Sequence, residues 1–341
     1  MRRPPRRPPR RPPHRPPRRP PPRRPTRPRS PIATAARRDA WLGALAPAIA
    51  RDRRGHLGAI GDAWGELCGD PIVAARWADR LTPEVAAIWE RGGDAPQSRA
   101  CLTSLLAAGR HPAILGLLAL RPVALWSERR VGVLAHAALG DLDAAIAYAR
   151  DSDPLGHGND AAIAALCESL LLAAGRRAEA YEDHALGASP RPNCLLTFRA
   201  IAAKYPERPP ITILGDLLAA SPGREGRWFA TARALGFHEL ALEIAGRSPV
   251  DPRTLTRAAE EALAGDPRFA RSAAVAALRW IAAGHGVEID AADVLHAADL
   301  ARAAATSLAA LAATEAELSA IGEGSTQASA WIALLLRSSR E

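Results

Sequence analysis

The sequence predicts an all-α protein, built of antiparallel helix hairpins and preceded by a disordered Arg/Pro-rich segment. Three observations lead there. Apolar residues make up 48% of the 341 positions but aromatics only 4%, and alanine supplies much of the apolar share. Alanine is the best helix former, and its small side chain lets helices approach closely. Apolar positions recur at helical spacing, while period-two runs of β-branched and aromatic residues are missing. Glycines and Asp/Ser/Thr-Pro pairs fall where helices end and begin.

Residues 1–31 repeat Arg-Arg-Pro-Pro, interrupted by His14, Thr26 and Ser30. Proline lacks an amide donor and arginine repels arginine, so an extended polyproline-II-like coil is expected. Three readings of this leader stay open: a polybasic arm for nucleic acid or anionic lipid through Arg2–Arg29, a set of Pro-rich ligand segments, or a mis-called translation start. Thirteen arginines and no acid lie in residues 1–30. The chain carries 45 Lys+Arg against 36 Asp+Glu, or +9, so 32 basic and 36 acidic residues remain beyond the leader, a net of −4. Overall charge therefore gives no argument for a basic nucleic-acid-binding body. Lys204 is the one lysine among the 45 basic residues. With abundant Ala, Pro and Gly, that points to a GC-rich genome, and arginine richness is discounted as a functional signal.

Residues 32–94 read as N-terminal helices. Arg37-Arg38 ahead of Ala40–Ala50 loosely resembles a twin-arginine export signal, but Ala40 stands where a bulky apolar residue is expected, and a first amphipathic helix is preferred. Thr82-Pro83 is expected to open a helix.

Residues 95–250 read as helical repeats. Asn159 is expected to cap a helix carrying Ile163, Leu166 and Leu170, and Ser189-Pro190 and Ser221-Pro222 to open further helices. Leu142, Ala145, Ile146 and Ala149 form one apolar stripe. A local pattern recurs: a helix ends at Gly, and Ala and then a larger apolar residue follow five and six positions on. It occurs at Gly140, Gly175 and Gly236, and more loosely at Gly109.

Residues 251–341 read as a C-terminal helical bundle or cap. Asp251-Pro252 and Asp266-Pro267 open helices, and the stripes Phe269, Ala273, Ala276, Trp280 and Val294, Ala298, Ala301, Ala305, Leu308 face a core.

The stretch Ala138-Leu139-Gly140-Asp141-Leu142-Asp143-Ala144-Ala145-Ile146 resembles the inter-helix turn and second helix of a tetratricopeptide repeat, although the first-helix Trp, Leu and Tyr signatures do not fall at the expected offsets. The resemblance implies a right-handed α-solenoid of stacked hairpins. Residues Thr197 to Leu255 also resemble bacterial helical proteins of unassigned activity, which implies no chemistry.

Candidate chemistry is sparse. Cys68, Cys101, Cys167 and Cys194 form no Cys-x-x-Cys and read as small core residues in a reducing, cytoplasmic setting. No uncharged apolar run reaches the length of a membrane span. Gly156-His157-Gly158 lacks the spacing of a phosphate loop, and His157 beside Asp153, Asn159 and Asp160 reads as a polar loop in preference to a metal site. No catalytic residue, cofactor or metal ligand is expected.

One segment is denser in aromatic and basic residues. Phe198, Trp228 and Phe229 read as core packing there. The functional alternative is an anion or partner groove lined by Arg199, Lys204, Tyr205, Arg224, Arg227 and Trp228, with free amides near Gly223. Lys204 distinguishes it, because an ammonium and a guanidinium are not interchangeable donors. The leading functional expectation is a non-enzymatic adaptor for a protein or peptide partner. The alternatives are a nucleic-acid or anionic-surface tether through the leader, and an enzyme on a helical scaffold.

Overall fold

The computed structural model describes residues 35–121, 123–152 and 158–338. The leader, and the loop reading at Asp153 and His157, lie outside them. Among the described residues all regular structure is helical. The chain opens with α1 (Ala35–Arg51), the short α2 (Gly58–Asp62) and α3 (Trp64–Cys68), and the long α4 (Pro71–Glu90). Two hairpins follow: α5 (Ser98–Ala107) with α6 (His111–Ala119), and α7 (Trp126–Ala138) with α8 (Leu142–Arg150). Next, α9 (Asp160–Ala173) packs on a rod made of α10 (Arg177–Glu179), a π turn (Ala180–Ala185) and α11 (Leu186–Ala188). Then come α12 (Cys194–Lys204), α13 (Pro210–Ala219), a 3-10 turn (Glu225–Trp228), and the hairpin of α14 (Phe229–Ala234) with α15 (His238–Arg247). The chain closes with α16 (Pro252–Ala262), α17 (Pro267–Ala282), α18 (Ala291–Ser307), α19 (Leu311–Gly322) and α20 (Gln327–Ser338), each packed on its sequence neighbour.

The recurring glycines do the same work each time. Gly109, Gly140, Gly175 and Gly236 all sit at positive φ, between 70° and 87°. At each helix end the glycine N–H and the next N–H turn back onto two carbonyls of the last turn: Gly140 to Ala137 and Asp141 to His136, Gly175 to Leu172 and Arg176 to Leu171, Gly236 to Arg233 and Phe237 to Ala232. Gly109 and Arg110 repeat this on Leu106 and Leu105, so the loosest copy in sequence has the same geometry. This paired closure satisfies carbonyls a helix end leaves bare and sends the chain back antiparallel.

Asp251 and Asp266 cap α16 and α17 as expected, accepting from the N–H of Thr254 and Phe269. Asn159 holds the N-cap position of α9 without a side-chain cap bond. Three expected helix starts are corrected. Thr82-Pro83 lies inside α4, whose stripe Val73, Trp77, Leu81, Val85 and Trp89 stays buried across it. Burial of that stripe outweighs the lost amide, and Asp70, accepting from Ile72 N–H at 2.7 Å, supplies the real cap. Ser221-Pro222 leads into the 3-10 turn, because Ser221 Oγ is engaged by Leu217 O and the Trp228 indole. Ser189-Pro190 precedes α12 by several residues, and Asn193 caps it instead, accepting from Leu196 N–H at 2.9 Å.

Buried apolar side chains gather in three clusters that succeed one another along the chain, from Leu42 to Ala135, Val133 to Ala180, and Tyr181 to Leu336. Polar ties keep the same short reach. Arg76–Asp39, Arg110–Asp79, Arg150–Asp183, Arg176–Asp143, Arg177–Glu207 and Arg253–Asp293 join residues 30 to 40 positions apart, about one hairpin. No helix among the described residues is long and apolar enough to cross a membrane.

Candidate functional site

Of the six residues expected to form one groove, five lie at opposite ends of α12 and Arg199 between them. Lys204 and Tyr205 lie at its C-terminal end. Arg227 lies at the other, its Nε 3.2 Å from Cys194 Sγ. At 1.5 Å rise per residue the two ends are about 15 Å apart. Arg199 projects into solvent from the middle of the helix.

At the Lys204 end the chain encloses a carboxylate. Glu168, on α9, is 2% exposed. Its Oε2 receives Lys204 Nζ at 2.5 Å and its Oε1 receives the Tyr205 hydroxyl at 2.9 Å. Lys204 Nζ also donates to Ser189 Oγ at 2.8 Å. The Tyr205 ring meets Tyr181 edge-on at 5.0 Å, and the Tyr181 hydroxyl donates to Asp216 at 2.6 Å. Arg177 lies over the Tyr205 ring and Arg208 over that of Tyr181. Burial, and then the carboxylate each hydroxyl serves, push both phenols above their ordinary range. His184, on the π turn, is buried beside this network, and its Nε2 has no partner among the described residues. Burial first and the Arg150 charge second hold its imidazole below its usual value. Lys204 is thus committed to an internal carboxylate, and the network ties α9, the loop before α12 and the end of α12 together.

The expected amides near Gly223 are likewise taken. Gly223 N–H donates to Glu225 Oε1 at 3.0 Å, and Gly226 N–H to Ser248 Oγ at 2.9 Å. Trp228 is buried, its indole N–H bonded to Ser221 Oγ at 3.1 Å. Arg224 and Arg227 are exposed, and Arg227 lies against the Trp228 ring. The 3-10 turn is one turn long, so no helix field supports an anion there.

The structure instead presents a two-part cleft near the N-terminus, between the turn at 52–58, the segment 92–99, the pair 120–121 and the segment 123–128. One cavity of about 390 Å3 is lined by Arg53, Arg54, Arg99, Ser98, Leu125 and Glu128 among others. A second, of about 400 Å3, is lined by Trp89, Gly92, Gly93, Leu120, Arg121 and Val123. Asp94 borders both. Glu128 is the buried carboxylate here: Ser98 Oγ donates to it at 2.6 Å, Leu125 N–H at 3.1 Å, and Arg121 Nε lies 3.4 Å away. Arg121 also bonds Asp94 at 3.0 Å, so it pins both segments. Leu120, Val123 and Leu125 remain exposed on the rim.

Sequence reasoning missed both buried carboxylates and the cleft. Glu168 and Glu128 are single acids within amphipathic helices, with no local signal to separate them from solvated ones. The cleft residues come from segments that only folding brings together. Among the described residues no group of three or more His, Cys, Asp and Glu side chains is placed to hold a metal ion. No protein-family model, curated protein or solved structure matches this chain.

Proposed function

We propose that this protein is a non-enzymatic adaptor of the helical-repeat type, binding an extended peptide or a segment of a partner protein. Its hairpins would stack in the manner of a tetratricopeptide solenoid. Two features support the stacking: the repeated helix closures at Gly109, Gly140, Gly175 and Gly236, and ion pairs that reach about one hairpin along the chain. A hairpin buries its apolar face only against a neighbour, so repeated hairpins of this kind pile up and leave a continuous surface for partners.

The observation that carries the reading is the two-part cleft. It combines a mixed recess beside Trp89 and Arg121, rimmed by exposed Leu120 and Val123, with a more polar recess at Arg53, Arg54 and Ser98, side by side across Asp94. Two such recesses side by side suit an extended chain, whose alternate side chains point the same way and enter separate recesses. The test uses the full chain against an unbiased displayed library of short peptides, with affinities of selected binders measured by fluorescence polarisation. Selected peptides should lose about tenfold or more in affinity on Val123→Arg, since a charged side chain would then block a desolvated pocket. Val123 is exposed, so the melting temperature of the variant should be unchanged. A library that yields no binder, or binders indifferent to Val123→Arg, overturns the adaptor reading at this cleft.

A further inference from the structure

We infer that the partner segment is acidic and carries an apolar anchor, the anchor entering the Trp89 cavity and the acids meeting Arg53 and Arg54. This rests on the adaptor reading and adds the chemistry of the ligand to it.

Each acid around the cleft has at least one partner. Asp94 is held by Arg121, and Glu128 by Ser98, Leu125 N–H and Arg121. Asp62, behind Arg99, takes that arginine at 3.3 Å. Asp52 accepts from Leu57 N–H at 2.6 Å, which lowers the pKa of its carboxyl and locks the turn that presents the arginines. The cations at the mouth are not spent. The run Arg51-Asp52-Arg53-Arg54-Gly55-His56 has one acid, and that acid faces its own backbone. Arg51 Nε bonds Pro47 O, but the exposed guanidinium groups of Arg53 and Arg54 make no hydrogen bond or ion pair with another described residue. Two adjacent free guanidinium forks match carboxylates in bidentate geometry.

The neighbouring cavity supplies the second half. Trp89 is 3% exposed, and its indole N–H has no acceptor among the described residues. Leu120 and Val123 stand exposed beside it. Arg121 overlies the Trp89 ring, and an apolar side chain seated beside it would cover the exposed carbons of Leu120 and Val123. Free nucleic acid fits this half poorly, because its anionic backbone brings no aliphatic anchor. The chain's own leader, with thirteen arginines and no acid in residues 1–30, has the wrong sign to occupy the Arg53–Arg54 mouth.

The test compares four labelled peptides on the full chain: a leucine anchor followed by a run of glutamates, the same with glutamines, the same with lysines, and the glutamate peptide with its leucine changed to serine. The glutamate peptide should bind about tenfold more tightly than the glutamine one at low salt, with the gap narrowing as salt rises. The serine peptide should lose a comparable factor, and the lysine peptide should not bind. The double variant R53E/R54E should abolish the preference for glutamate and raise affinity for lysine. Both positions are exposed, so an unchanged melting temperature verifies the fold. Equal binding of glutamate and glutamine peptides, or a glutamate preference that survives R53E/R54E, overturns this inference. So does an RNA oligonucleotide that displaces the glutamate peptide as well as unlabelled peptide does. Library binders that need Val123 but carry no acids would sink the acidic partner and leave the adaptor standing; no peptide binding of any kind removes both.

Discussion

Glu168 has almost no access to water, and its two carboxyl oxygens are taken up by two donors, Lys204 Nζ and the Tyr205 hydroxyl. Desolvating a carboxylate is costly, and pairing offsets that cost only while the partners stay in place. Removing Lys204 should therefore hurt more than an ordinary surface lysine would. Lys204→Met is expected to lower unfolding free energy by about 2 kcal/mol, at the modest end for a broken buried pair because water still reaches the ammonium. Glu168→Gln added to Lys204→Met should recover about half of that loss, since the amide oxygen still accepts from Tyr205 and no orphan charge remains. Urea denaturation of the single and double variants decides it: a double variant less stable than Lys204→Met alone would mean the carboxylate is not what Lys204 serves. Lys204 was legible in sequence as a residue out of keeping with its composition, but its partner was not. Glu168 sits in Leu-Cys-Glu-Ser-Leu, where helical phase alone does not say that the one acid faces inward. The aromatic half of the expected site divides similarly: Trp228 and Phe229 are core, as their apolar bulk implied, while Arg224 and Arg227 face solvent.

At the scale of elements, the helix closures were the most readable part of the chain, because a left-handed residue nearly demands glycine and so leaves a mark in sequence. The same closure appears once without that mark. α18 ends with Ala309 N–H on Thr306 O and Ala310 N–H on Ala305 O, and Ala309 holds φ at 51°. Its Cβ crowds the backbone there, which an L-residue avoids at a cost of about 1 kcal/mol or more. Ala309→Gly relieves that crowding and gives back part of the gain as unfolded-chain entropy. A net stabilisation of about 0.5–1 kcal/mol is expected, seen as a higher urea midpoint at unchanged slope. A lower midpoint would show that α18 does not end in this conformation in solution. The misread starts have a physical cause as well. A proline after Thr or Ser signals a helix start only where no longer apolar stripe runs through it, and in α4 one does.

Over the whole molecule, what matters is how far a local change can travel. Apolar clusters succeed one another along the chain, and charged contacts reach about one hairpin, so a disturbance is felt first by sequence neighbours. His184 lies where the second cluster gives way to the third, between Ala180 in one and Tyr181 and Ala185 in the other. Its pKa is lowered by burial and by Arg150, against weaker opposite pulls from Asp183, Glu168 and Glu179. A histidine whose folded pKa lies below its unfolded value, near 6.5, stabilises the fold above that value and loses the contribution as pH falls through the folded pKa. Protonation would place a cation beside Arg150 with no acceptor at Nε2. Acidification from neutral to about pH 5 should therefore speed amide hydrogen exchange, after correction for the intrinsic pH effect, in residues 160–188 before it does so in α4 and α5. The cluster from Leu42 to Ala135 holds no buried histidine, so its protection should persist over that interval. His184→Gln, which cannot take up the charge, should flatten the response in 160–188 while leaving α4 and α5 as they were. Simultaneous loss of protection along the whole chain would instead show one cooperative body.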